Sequence, residues 1–231
     1  MKTPGIVGGI APESTIEYYR FLIAAWRTAT NDGSYPPLLI NSIDLTRMIG
    51  GIAANEYERV TDELSAELQK LARAGADFGL FASNTPHLLF DELRRRSPIP
   101  LISIVEVARD AATAAGYRRL GLFGTRFTMR GGFYQDVFGR AGMSVIAPRD
   151  DEQELIHAKY MGELVNGILL PETRAQLVAI AREMHSRDSI DALILGGTEL
   201  PLILRDAADV GVPMLDTTRI HVDAIVKEML A

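Results

Sequence analysis

Four short stretches of small polar residues hold the residue types best suited to chemistry. They are residues 8–15 (G-G-I-A-P-E-S-T), 83–87 (S-N-T-P-H), 124–128 (G-T-R-F-T) and 196–199 (G-G-T-E). Each stands where a short apolar run gives way to an amphipathic one, as when a strand ends and a helix begins. The first N–H groups of a helix have no partner inside it, and the macrodipole favours negative charge there. The hydroxyls of Ser14, Thr85, Thr125 and Thr198 would add donors. Such a cluster suits a small anion, a carboxylate above all. Taken singly, each stretch reads first as a helix cap, because Ser, Thr and Asn are preferred caps. Four of them at related places favour an anion site, with some residues serving both purposes.

Other chemistries find no support. Gly8-Gly9 followed by Pro12 does not make the dinucleotide fingerprint, and no phosphate-binding loop ending in Gly-Lys-Ser/Thr occurs. Ser83 is not set in a Gly-x-Ser-x-Gly elbow, and the four histidines have no zinc-site spacing. The chain contains no cysteine, which removes disulfides, Cys metal sites and Cys nucleophiles together. A net charge of −6 over 231 residues speaks against a nucleic-acid partner or an anionic membrane. With 47% hydrophobic and 23% charged residues, the composition is that of a soluble globular protein with a sizeable core. No secretory leader is expected, no run approaches the ~18 apolar residues of a membrane span, and the cytoplasm is the expected location.

The elements that must position the four stretches alternate between β and α. Strands are expected at residues 5–9, 38–43, 78–82, 101–102, 120–124, 143–146, 192–196 and 213–215. Helices are expected at 13–27, 56–74, 105–115, 171–185 and 218–230. Short apolar runs without strict alternation suit strands buried on both faces of a parallel sheet. An internal repeat sharpens this picture. L-F-A-S-N-T-P-H-L-L-F-D-E-L at 80–93, closed by I-P-L-I-S at 99–103, is echoed by I-L-G-G-T-E-L-P-L-I-L-R-D at 194–206, closed by V-P-M-L-D at 212–216. The expected fold is α/β, with two similar open parallel-sheet domains related by a pseudo-two-fold axis. They would span residues 1–100 and 101–215, with a final helix at about 216–231 packing back on the first. The carboxyl ends of both sheets would then meet in an interdomain crevice, where open α/β folds bind ligands.

In order and spacing these stretches resemble the cofactor-independent aspartate/glutamate racemase family. G-G-I-A-P-E-S-T-I-E-Y-Y-R at 8–20 is similar to its opening loop and first helix, and G-T-R-F-T-M at 124–129 to its second-domain anion loop. S-N-T-P-H at 83–87 and G-G-T-E-L at 196–200 resemble its two catalytic motifs. The resemblance covers nearly the whole chain. It implies an isomerase that removes a proton from one face of a substrate α-carbon and delivers one to the other, using a cysteine from each domain. It implies no pyridoxal phosphate, other cofactor or metal, and a homodimer. Where the family has its cysteine pair, this chain has Ser83 and Gly197. A thiol has a pKa of about 8.5 and becomes a base after a modest shift; a serine hydroxyl is a far weaker acid, and Gly197 has no side chain. Two-thiol racemisation is therefore not possible for this chain.

The resemblance then assigns Ser83, Asn84 and Thr85 to one wall of the site and Gly197, Thr198 and Glu199 to the other, with Ser14, Thr125 and Thr128 holding carboxylate. The ligand would be a small amino acid or dicarboxylic acid. Substitute acids or bases would come from His87, four positions after Ser83, or from Glu199 or His157. His87 reads equally as a structural hydrogen-bonder, and His157 as a helix-surface or domain-interface residue. Glu199 would either orient neighbouring backbone or bind the substrate ammonium. Arg47, whose fork suits bidentate pairing, is a reader for a second carboxylate, although Gly50-Gly51 beside it suggests a mobile loop. Lys159 would pair a distal carboxylate or be solvated. The alternative to an isomerase is a diverged, inactive paralogue that still binds a carboxylate.

Overall fold

A computed structural model describes residues 1–204 and 208–231. Arg205 and Asp206, which close the second copy of the repeat, lie outside the described residues. The chain divides into two compact units, Met1–Ser103 with His221–Ala231, and Ile104–Ile220.

The first unit is built on a parallel sheet of β1 (Pro4–Gly8), β2 (Leu39–Ser42) and β3 (Phe78–Phe81) in the order β2-β1-β3. Ile6 sits between Ile40 and Leu80 in register. Helix α1 (Pro12–Thr30) starts with proline at its first position and ends at Asn31 in the left-handed conformation, whose N–H returns to the Arg27 carbonyl. It buries every fourth residue, Ser14, Tyr18, Leu22 and Trp26. Three of these join Ile6, Phe78 and Leu80 in one core, which the last helix, α11 (Thr217–Leu230), completes with Val222, Ile225, Val226 and Met229. Its anchors include Lys2 N–H to the Met229 carbonyl at 2.9 Å and the Tyr18 hydroxyl to His221 Nδ1 at 2.8 Å. On the other side α3 (Tyr57–Arg73) lies so close that a Cβ on Gly5 would be 3.0 Å from Leu71.

Two expectations here need correction. Residues 50–51 are not a loop: they lie in α2 (Leu45–Ala53), capped by Asp44, whose carboxylate accepts from Thr46 N–H at 2.8 Å. Gly51 is there for close packing, since a Cβ would collide with Val60 on α3. The strand expected at 101–102 is a single parallel bridge between Gly79 and Leu101.

The second unit carries β4 (Arg119–Gly124), β5 (Ser144–Ile146), β6 (Ala192–Gly196) and β7 (Met214–Asp216), all parallel, in the order β5-β4-β6-β7. Side chains alternate across it as the pleat requires. Leu193 and Leu195 face a core with α8 (Asp150–Gly162) and α9 (Pro171–Asp188), while Ala192 and Ile194 face one with α5 (Ile104–Ala115) and α7 (Phe133–Gly139). Residues buried on both faces are why these strands read as unbroken apolar runs. Helix α6 (Arg126–Arg130) is separated from α7 by Gly131-Gly132, where Gly132 has φ 77°. The short helices α4 (Phe90–Arg96) and α10 (Leu200–Leu204) follow β3 and β6.

The two sheets share a wiring. Sequential strands pair as β2-β1-β3 and β5-β4-β6, and a fourth segment joins β3 in one and β6 in the other. In both, a proline carbonyl at that fourth segment accepts a 2.8 Å hydrogen bond, from Gly79 N–H to Pro100 and from Leu193 N–H to Pro213.

Candidate functional site

In the first unit, the chain leaving β3 turns at once into a 3-10 helix (Thr85–Leu89), and this turn buries Ser83, Asn84, Thr85 and His87. Such burial of consecutive polar residues at a strand's carboxyl end is not needed for a cap alone. The His87 ring lies flat on Phe90, 4.4 Å between centroids, and its Nδ1 is 3.2 Å from the Asn84 carbonyl. Burial first, then the neighbouring His221, pushes its pKa down to about 3, so the imidazole is neutral. A base that weak is poorly matched to taking a proton from carbon. Its contacts are those of a residue that shapes the turn.

Ser14 departs from expectation. Its hydroxyl faces the Ala11 carbonyl at 2.8 Å and the Ala82 carbonyl at 3.3 Å, so its one hydrogen serves the backbone rather than an outside carboxylate. It ties the start of α1 to the end of β3. Arg47 also has a partner already: it donates to Glu63 Oε1 at 2.6 and 3.2 Å from the exposed face of α2. It borders a groove with Asn41, Glu63, Glu67 and Lys70 rather than the turn at Ser83.

In the second unit, the ends of β4 and β6 lie side by side, with Gly124 opposite Gly196. Thr125 caps α6: its Oγ1 accepts from Thr128 N–H at 3.2 Å and lies 3.2 Å from Thr128 Oγ1. Both threonines are buried. His157 on α8 is half-buried beside them, and its Nδ1 accepts from Arg126 N–H at 3.2 Å. That fixes the ring's proton on Nε2 when neutral, while burial and the Arg126 charge lower its pKa. Lys159 is turned to Glu163 one helical turn on, at 2.6 Å, instead of standing free for a ligand.

The segment after β6 is the most unusual. Glu199 is fully buried, and one oxygen, Oε2, accepts from both the Thr198 hydroxyl at 3.0 Å and the Tyr160 hydroxyl. Tyr160, from α8, lies over Gly197: a Cβ there would sit 2.9 Å from both its Cζ and its hydroxyl oxygen, with Cε2 nearer still. Burial, then the Glu199 charge, pushes the Tyr160 hydroxyl pKa well up, so it is a neutral donor. Sequence reasoning missed Tyr160. The bare Gly197 was a signal that something fills the space, but nothing in the sequence says which residue does. Among the described residues no three His, Asp or Glu side chains gather as a metal ion would require.

Two buried polar strand ends of like construction, one in each unit, invite comparison with known proteins. A family model described as Asp/Glu/Hydantoin racemase matches residues 7–225. The chain is 24% identical over 237 residues to the broad specificity amino-acid racemase RacX of Bacillus subtilis (strain 168), covering 98% of each chain. Among solved structures it is similar to a candidate Asp/Glu racemase from Yersinia pestis, with 28% identity and TM-score 0.89 over 100% of both chains. An aspartate racemase homologue from Pyrococcus horikoshii OT3 gives 32% identity and TM-score 0.85, again over 100% of both. With a family model spanning both units and whole-chain agreement in fold, this chain belongs to the Asp/Glu/hydantoin racemase family.

Proposed function

We propose that this chain binds a small amino acid or dicarboxylic acid at the polar strand ends of its units and moves a proton at that acid's α-carbon. The observation that carries the reading is the pair of buried polar turns at equivalent strand ends, Ser83-Asn84-Thr85 after β3 and Gly197-Thr198-Glu199 after β6. Backbone N–H groups and hydroxyls there would take the carboxylate, and the turn at Thr125-Thr128 would add to them. Since the chain has no cysteine, proton transfer must use oxygen or nitrogen groups. The work is that of a cofactor-independent isomerase in a homodimeric cytoplasmic protein. The family's racemases, such as the B. subtilis relative, support an amino-acid substrate.

The second reading is a diverged carboxylate binder without turnover, favoured by the absence of thiols and by the covering of Gly197. Heavy water separates the two. Aspartate, glutamate and a panel of neutral amino acids are incubated with the protein, α-proton loss is followed by NMR, and binding is measured by calorimetry. Exchange at Cα supports the isomerase; binding without exchange supports the binder; no binding to any acid of the panel refutes both.

A further inference from the structure

We propose that the Tyr160 hydroxyl, held on Glu199, replaces the missing side chain of residue 197 as the acid–base group of the second unit. This rests on the isomerase reading above. Its ground is geometric. The hydroxyl oxygen lies 2.9 Å from where a Cβ of residue 197 would be, so it occupies the start of the space that any longer side chain there would fill. It reaches that place from α8, a different element, and a side chain at Gly197 would collide with it. Glu199 belongs to the same turn, is fully buried, and takes the Tyr160 hydrogen on the same oxygen that Thr198 supports. A tyrosine placed only to fill a gap would need no carboxylate on its hydroxyl, and burying that carboxylate is costly.

The step balances as a relay. The Cα–H bond breaks and its proton goes to Tyr160 Oη, while the hydrogen Tyr160 carried passes to Glu199. The electron pair stays with the substrate, delocalised into its α-carboxylate. In the return direction Tyr160 gives its hydrogen to Cα and recovers one from Glu199. Tyr160 remains a neutral phenol before and after, so the pair never holds two negative charges. The raised pKa of the hydroxyl agrees with this, because a lasting phenolate beside Glu199 would be strongly disfavoured.

The test compares wild type, Tyr160→Phe and Glu199→Gln, using deuterium exchange at Cα of whichever amino acid of the panel binds. Tyr160→Phe keeps the ring over Gly197 and removes only the oxygen; Glu199→Gln keeps the shape and removes the proton acceptor. General acid–base groups contribute about 100- to 10,000-fold. Each variant should therefore lose at least about 100-fold in exchange rate, with the calorimetric Kd within roughly threefold of wild type. If Tyr160→Phe fails to fold, Glu199→Gln alone decides. Binding without exchange in the wild type overturns the relay, as does exchange that survives either substitution. Absence of binding in the wild type refutes the isomerase reading itself, and the relay with it.

Discussion

Adding a side chain at Gly197 is the perturbation that separates a gap filled by Tyr160 from a gap waiting for a thiol. The backbone at Gly197 lies outside the left-handed region, so any cost of substitution is one of space. Alanine in place of glycine on compatible backbone normally stabilises by about 0.4–1 kcal/mol. Gly50 in α2, where a Cβ meets nothing within 4 Å, serves as that control. At Gly197 the added carbon falls within 2.9 Å of Tyr160 Cζ and Oη, the rigid end of a buried ring rather than a flexible tip. Overpacking of that kind costs about 1–3 kcal/mol, or a fall in Tm of roughly 2–4 °C per kcal/mol for a chain of this size. Urea denaturation of Gly197→Ala, Gly50→Ala, Tyr160→Ala and the Gly197→Ala/Tyr160→Ala double variant measures it. Removing the ring makes room, so the double variant should be more stable than the two single losses predict, by about 0.5–3 kcal/mol of coupling. The same crowding means that Ser83→Cys with Gly197→Cys does not restore a working thiol pair until residue 160 is also made small. Gly197→Ala as stable as Gly50→Ala, or strict additivity of the pair, refutes the reasoning.

Other consequences follow from buried charge and capping. Burial holds His87 and His221 neutral with pKa values down to about 3 each. In the unfolded chain they protonate near 6.5, so folding stability is complete above that pH and is lost as pH falls from there towards 3. Each histidine contributes a slope of about 1.4 kcal/mol per pH unit, giving a loss of roughly 4 kcal/mol between pH 7 and 5 by denaturation. An imidazole resonance of either residue titrating near pH 6 in the folded protein refutes this. Glu152 is buried between Arg149 and Arg187, at 2.9 and 3.0 Å, and also accepts from Arg149 N–H. Burial alone would raise its pKa, but the Arg187 and Arg149 hydrogen bonds and charges together lower it. Glu152→Gln should cost about 1–2 kcal/mol at neutral pH and progressively less in acid, because the native carboxylate's advantage is full above the unfolded pKa and is lost as pH falls through the lowered native one. Thr125→Ala removes the α6 cap and should cost about 1 kcal/mol, with Thr125→Ser near wild type. A loss of amino-acid affinity in Thr125→Ala but not Thr125→Ser, by calorimetry, marks the hydroxyl as a ligand contact as well.

What could be read from the sequence, and what could not, divides along the range of the interactions. The strand ends were legible because a strand buried on both faces must be apolar throughout, and Gly5–Gly8 or Ala192–Gly196 have no other use for such a run. The repeat was legible because both units solve the same local problem, down to the proline carbonyls of residues 100 and 213. Helix α2 was misread because Gly50-Gly51 weakens helix propensity, and the reason for Gly51 lies on α3, at Val60. The polar turns were legible as places but not as roles. Whether Ser14 donates outward depends on the Ala82 carbonyl, and whether Arg47 is available depends on Glu63. Gly197 shows the same limit most sharply. A glycine within a polar turn reads as a position without a side chain, since sequence spacing counts only side chains that the turn itself carries. In three dimensions the space beside a glycine belongs to whichever neighbour can reach it, and here Tyr160 reaches it with a hydroxyl already held by Glu199 of the same turn. What stands at this turn is therefore set by α8 as much as by the turn's own residues, and no spacing within the motif could have named Tyr160.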